Sequence, residues 1–273
     1  MESNREMGAS DLRRLFKVAQ STGIAKLKIT GGEPLIRDDI IDLVREASKH
    51  FTEVSMTTNG VMLGLMANEL AAAGLRRINV SLDTVDESLY TSITGVNSLS
   101  WVIEGIDAAL AAGLTPLKVN TVLLKGLNDG RIPEMVEFAS SRGAVLQLIE
   151  LNSIEGNGDT RGWYFSLASV EKRFAAKAVL VKRNELHDRR RYFVPNNESM
   201  VEVEFVRSMG RKSFCMNCTR IRVTSDGMLK PCLMTADGEI DFLTPLQAGA
   251  SDDDLAVLME KAISGRKPYW VAE

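Results

Sequence analysis

The sequence predicts an α/β fold in which a mostly parallel sheet is crossed by helices and closed, at least in part, as a barrel. Three observations predict it. Short stretches rich in valine, isoleucine and threonine recur along residues 25–151. Amphipathic stretches of helical period fill the intervals between them. Glycines and polar residues gather where the strand-like stretches end: Gly31, Gly32 and Glu33; Thr57, Thr58 and Asn59; Ser81 and Asp83; Lys118 and Asn120. In parallel α/β folds those ends carry the active site. A doubly wound open sheet is the alternative reading.

Residues 10–22 have helical spacing, with Ser10 as the expected N-cap. AKLKIT (25–30) is a short strand ending in two glycines, and DDIIDLVREAS (38–48) is an amphipathic helix. EVSMTT (53–58) is a strand followed by the helix VMLGLMANELAAAG. RINVSLD (77–83) is the next strand, with helices near 86–94 and 99–112. PLKVNTVLL (116–124), a helix near 131–142 and VLQLIEL (145–151) complete the alternation. The pattern changes after residue 152, which divides a partial barrel (1–152) from a β-rich C-terminal extension (153–273). SIEGNGDTRGW reads as a loop, 167–176 as a helix and VEVEFV (201–206) as a strand. RIRVTSDGMLKPCLM reads as a hairpin turning at Ser225, Asp226 and Gly227, before a strand near 239–243 and a helix over 252–264.

Composition narrows the function. A net charge of -3 over 273 residues gives no electrostatic footprint for nucleic acid or an acidic membrane. No apolar run reaches transmembrane length, and MESNREMGAS has no signal-peptide pattern, so a cytoplasmic protein is expected.

Three motifs carry chemistry. Gly31-Gly32-Glu33-Pro34 lets a ligand approach the backbone, and its carboxylate suits a cationic group. FCMNCTRIRVTSDGMLKPC holds all three cysteines, Cys215, Cys218 and Cys232, spaced C-x2-C-x13-C. Clustered cysteines in such a chain read as metal ligands. Tetrahedral zinc would need a fourth ligand, and the histidines on offer are His50 and His187. An iron–sulfur cluster on three thiolates leaves one iron open to substrate, so it is favoured, with zinc as the alternative. Arg220 and Arg222, two apart on an expected strand, would project together. Paired guanidiniums suit a phosphate chain.

ITGGEPL, TTNG, RINVSLD, LKVN and the cysteine segment occur in an order and spacing that resemble the molybdenum cofactor biosynthesis protein A family, the GTP 3',8-cyclases. The resemblance covers nearly the whole chain. It implies a partial (β/α) TIM-type barrel of radical S-adenosylmethionine (SAM) type, with a C-terminal β-rich Fe–S extension. It implies that Gly32, Glu33 and Ser81 face SAM. It implies that Lys28, Thr57, Lys118, Arg220, Ile221 and Arg222 bind GTP, and that Cys215, Cys218 and Cys232 hold a [4Fe-4S] cluster whose open iron takes the guanine. The implied reaction converts GTP to 3',8-cyclo-7,8-dihydro-GTP through a SAM-derived radical. The next enzyme of molybdopterin precursor synthesis would be a partner, and a homodimer is the implied option for assembly.

The sequence departs from the family pattern in three places. No cysteine precedes Cys215, so the N-terminal C-x3-C-x2-C motif that generates the radical is absent. Gln147 stands where the family often has arginine, and Asn152 where it often has methionine. The expectation is an N-terminally truncated cyclase lacking its first barrel strand and inactive alone, or alternatively a non-catalytic GTP-binding Fe–S protein.

Overall fold

The structure, a computed structural model, describes residues 6–152, 161–184, 189–207, 212–235 and 237–269. The alternation expected from the sequence is present. Helix α1 (Ala9–Ser21) leads to β1 (Lys26–Ile29), α2 (Ile40–His50), β2 (Glu53–Thr58), α3 (Leu63–Ala72) and β3 (Arg77–Ser81). Helices α4 (Glu87–Thr94) and α5 (Leu99–Ala111), β4 (Leu117–Leu123), α6 (Ile132–Ser141) and β5 (Val145–Glu150) follow. The chain continues through α7 (Ala168–Lys177), β6 (Leu180–Asn184), β7 (Arg189–Asn196) and β8 (Ser199–Val206). It ends with α8 (Lys212–Met216), β9 (Arg222–Val223), β10 (Met228–Lys230), β11 (Ile240–Asp241), α9 (Leu243–Gln247) and α10 (Asp252–Ser264).

The main sheet has eight strands in the order β1-β2-β3-β4-β5-β8-β7-β6. Strands β1 to β5 and β8 are parallel, and β7 and β6 return antiparallel. The sheet therefore runs across residue 152, taking three strands from the later part of the chain. Strands β1 and β6 are its edges, so the barrel is partial.

Side chains alternate between two unlike faces, as the pleat requires. Val54, Met56, Ile78, Val80, Leu117, Val119, Leu146, Leu148, Val203 and Phe205 are buried in the core shared with the helices. Burial of each such side chain is worth about 1.5–3 kcal/mol. The other face is polar. Its register rows run Lys28, Ser55, Arg77; Thr57, Asn79, Lys118; and Ser81, Asn120, Gln147, Glu204, Arg191. A β/α barrel with a polar interior has room for a polar ligand rather than a packed centre.

Two glycines set close approaches that fix this scaffold. A Cβ on Gly105 of α5 would lie 2.5 Å from the Gly60 carbonyl oxygen, so only glycine lets α5 pack on the turn after β2. Gly227, at φ +80°, makes the hairpin turn, and a Cβ there would lie 2.4 Å from the Leu243 Cβ of α9. The hairpin is also tied to the start of the chain, because the Met7 N–H donates to the Ser225 carbonyl at 2.9 Å. Helix α10 is clasped to α1 by Asp252, which takes Arg14 Nε at 2.8 Å and Lys17 Nζ at 2.7 Å.

Two local expectations are corrected. Helix α1 is capped by Gly8, whose N–H donates to Asp11 Oδ2 at 3.1 Å; Ser10 lies inside the first turn. Arg220 precedes β9 instead of lying on it, because β9 pairs only with the three-residue β10 and is two residues long. His187 and most of the expected 153–163 loop lie outside the described residues.

Candidate functional site

The segment after β1 presents Gly31 and Gly32 with nothing within 4 Å of where a Cβ would stand, which leaves the backbone open to a ligand. Gly31 has φ +148°, a conformation that requires glycine. Glu33, expected to face a cationic group, has its carboxylate already engaged. It accepts from Leu35 N at 3.0 Å, Thr58 Oγ1 at 2.7 Å and Asn59 N at 2.6 Å. It thus braces the β1 end against the β2 end.

Ser81 is exposed at the end of β3, in register with Asn120. Behind it Asp83 accepts from Val122 N at 2.7 Å. Burial pushes this carboxyl up to about 6, against the pull of that hydrogen bond. Asn128 locks the same corner by donating to the carbonyls of Asp83 at 2.9 Å and Val122 at 2.8 Å.

Deeper on the polar face, cations surround one carboxylate. Glu204 is fully buried and pairs with Lys118. Gln147 Nε2 donates to Glu204 Oε2 at 2.9 Å, and Arg189 Nε lies 3.0 Å from Glu204 Oε1. Burial alone would raise the Glu204 carboxyl; the charges of Arg189 and Lys118 outweigh it and hold the group below its ordinary value. Arg220 is shifted down by burial and by the charges of Arg189 and Arg222, with Cys218 and Glu204 acting the other way. Lys28 is pushed down to about 8, first by the protein around it and then by Arg220, Lys118, Arg189 and Arg77. Its side chain is still reached by water, at the open edge strand. Five cations, Lys28, Arg77, Lys118, Arg189 and Arg220, therefore share one electrostatic neighbourhood. Such a face is suited to a polyanion.

The cysteines stand beside this face. Cys215 ends up buried near the close of α8, Cys218 follows in a turn in which its N–H donates to the Cys215 carbonyl at 3.2 Å, and Cys232 follows β10. All three thiols are free. Met234 N donates to Cys232 Sγ at 3.4 Å, and Arg266 Nη2 to the Cys215 carbonyl at 3.0 Å. Three free thiols, one of them close enough to Arg220 to act on its charge, fit an Fe–S cluster in donor chemistry. Among the described residues they are not gathered into a group of metal-ligand geometry. His50 is bonded to Gln20 at 2.8 Å and Glu46 at 3.2 Å.

The structure thus brings Lys28, Lys118, Arg220 and Arg222 into one field, with Thr57 in the row of Lys118 and Ile221 half-buried between the arginines. Sequence reasoning missed Arg77, Arg189 and Glu204. For Glu204 a signal existed: VEVEFV alternates, so Glu202 and Glu204 share the face opposite Val201, Val203 and Phe205.

Residues 1–139 match the Radical SAM superfamily, and residues 144–272 match Molybdenum Cofactor Synthesis C. The "Probable GTP 3',8-cyclase" of Pyrococcus horikoshii is 44% identical over 100% of this chain and 88% of its own length. That of Thermoplasma volcanium is 42% identical over 98% of this chain and 82% of its own. Among solved structures, Streptococcus suis SuiB bound to S-adenosylmethionine superposes with a TM-score of 0.66 at 18% identity. That match covers 87% of this chain and 58% of SuiB, and it speaks to the fold.

Proposed function

The chain belongs to the radical SAM superfamily, in the family of the GTP 3',8-cyclases, and on that premise we propose that it converts GTP to 3',8-cyclo-7,8-dihydro-GTP in molybdenum cofactor biosynthesis. The observation that carries the substrate reading is the cluster of five cations about Lys28, two of them paired with Glu204, beside the three cysteines. A nucleoside triphosphate has a polyanionic tail and a base with metal-ligating nitrogen and oxygen, which is what those two features can hold.

In this reading Lys28, Lys118, Arg220 and Arg222 bind the triphosphate, with Thr57 and the Ile221 backbone fixing the sugar and base. Cys215, Cys218 and Cys232 hold a [4Fe-4S] cluster that presents an iron to guanine. Gly32 and Ser81 line the SAM side, where Glu33 holds the loop in shape. SAM and iron–sulfur chemistry supply the radical when bound; the chain's own residues bind the tail, orient the base and exclude water. Free thiols suit a reducing, cytoplasmic setting. The product passes to the next enzyme of molybdopterin precursor synthesis, and a homodimer is the assembly to be sought in light scattering.

A second reading, a GTP-binding Fe–S protein without radical chemistry, is favoured by one observation. All three cysteines fall within 215–232, which leaves none in these residues for a second cluster. The experiment that tests both is anaerobic reconstitution with iron and sulfide, followed by nucleotide binding and product analysis with SAM and a reductant. GTP is expected to bind in preference to ATP, and Cys218→Ser is expected to lose iron and that preference together. Formation of 5'-deoxyadenosine and of 3',8-cyclo-7,8-dihydro-GTP is expected on the first reading; GTP binding with neither product is expected on the second. Equal binding of GTP and ATP overturns the guanine reading; 5'-deoxyadenosine above a protein-free control overturns the second reading, and its absence from an iron-loaded sample that binds GTP overturns the first. A colourless, zinc-loaded protein that binds no nucleotide overturns both.

A further inference from the structure

Gln147 of β5 and Arg189 of β7 reach one buried carboxylate from different strands. Gln147 Nε2 and Arg189 Nε meet the two oxygens of one carboxylate, at 2.9 Å on Glu204 Oε2 and 3.0 Å on Glu204 Oε1. Lys118, in the GTP site as read above, pairs with the Gln147-bonded oxygen. Arg189 starts β7, two strands from β5, and its side chain is only 10% exposed.

The Arg189–Glu204 contact is close but poorly aligned. Arg189 Nε and Glu204 Oε1 are both buried with no hydrogen-bond partner of good geometry. A buried guanidinium with an unaligned donor is costly unless something else completes it. Glu204 carries one negative charge for two paired cations, Lys118 and Arg189, so their neighbourhood stays positive even with the carboxylate ionised. The charge of Arg189 also bears on Lys28 and Arg220, which places it within the cation cluster rather than beside it.

We propose that Arg189 is a phosphate-binding residue of the GTP site, held in place by Glu204. The proposal rests on the GTP reading for the identity of the ligand; its geometry calls only for a polyphosphate.

The test is binding of GTP, inorganic tripolyphosphate and guanosine to the full reconstituted chain and its variants. Arg189→Gln is expected to weaken GTP and tripolyphosphate by about ten- to a hundredfold, the scale of a charge-assisted hydrogen bond to phosphate, and to leave guanosine unchanged. Arg189→Lys, which keeps the charge and loses the fork, is expected to fall between. The double variant Gln147→Arg/Arg189→Gln moves the charge to β5, beside the other oxygen of Glu204, and is expected to recover most of the lost affinity. Guanosine falling in step with GTP, in both Arg189→Gln and Arg189→Lys, overturns the proposal, because it marks a structural role. Unchanged GTP affinity in Arg189→Gln, or a folded double variant without recovery, overturns it as well. Failure of the GTP reading looks different: the unaltered chain would bind tripolyphosphate in an Arg189-dependent way and gain nothing from guanosine.

Discussion

The polar face carries its charges in two different ways. On the β4–β5–β8–β7 side, Glu204 gathers Lys118, Gln147 and Arg189 into one buried network. On the β1 side, Lys28 stands among cations, and the charges that act on it most strongly, those of Arg220, Lys118, Arg189 and Arg77, are positive. The difference separates scaffold from site. A compensated network can stay folded without a ligand, and it holds its members in fixed positions. An uncompensated cation at the open edge gains a partner only when an anion arrives. The two sides share one field, since Lys118 and Arg189 both lower Lys28, so the network also sets how strongly the open side attracts.

The largest expected effect breaks the compensated side. Glu204→Leu leaves Lys118 and Arg189 buried without a counter-charge, and loss of one partner of a buried pair typically costs about 3–5 kcal/mol. The urea midpoint should fall accordingly. A loss below about 1 kcal/mol would erase the distinction, because Glu204 would then be no more than a surface-like pair.

The second effect belongs to the open side and is read in binding. With its pKa near 8, Lys28 loses its charge as pH rises through the range just above neutrality. GTP affinity should therefore fall from about pH 8 upward, by about three- to tenfold for loss of one partly hydrated cation. Lys28→Met should bind more weakly at pH 7 and lose that pH dependence. The folded pKa lies below the unfolded value, so between about 8 and 10.5 the unfolded chain holds the proton more tightly and stability of the unliganded protein rises with pH. Water reaches Lys28, so this stability slope should be shallow. A GTP affinity flat from pH 7 to 9 would place Lys28 outside the site.

The sequence made the open side legible and hid the compensated one. EVSMTT, RINVSLD and VLQLIEL coincide with β2, β3 and β5 to within two residues because apolar runs, glycines and helical intervals mark them locally. Lys28, Thr57 and Lys118 lie at readable positions on β1, β2 and β4. Glu204 and Arg189 are different: β7 and β8 form a local hairpin, and alternation sets the face of Glu204, but that β8 adds parallel to β5 is a pairing between distant segments that no local pattern encodes. The arginines of the cysteine segment show the same limit. Their closeness was readable from spacing; that Arg220 would sit just ahead of a two-residue strand depended on how short a partner β10 offers.

The smallest effect sharpens the comparison by testing its anionic counterpart. Asp83, at the end of β3, is also uncompensated: burial raises it to about 6, and the Val122 N–H is its opposing influence. Its folded pKa lies above the unfolded 3.8. Between those values the folded chain keeps a proton that the unfolded chain has lost, so stability falls as pH rises and the full cost is present above about 6. Asp83→Asn cannot ionise and keeps an oxygen for Val122 N–H. It should stabilise the protein by about 1–2 kcal/mol at pH 7–8, less than the full shift implies because Asp83 is not wholly shielded from water. The gain should vanish by about pH 4, where both side chains are neutral. A variant destabilised at pH 7 would mean that the ionised carboxylate has a favourable partner at this corner, and Asp83 would then belong with Glu204 rather than with Lys28.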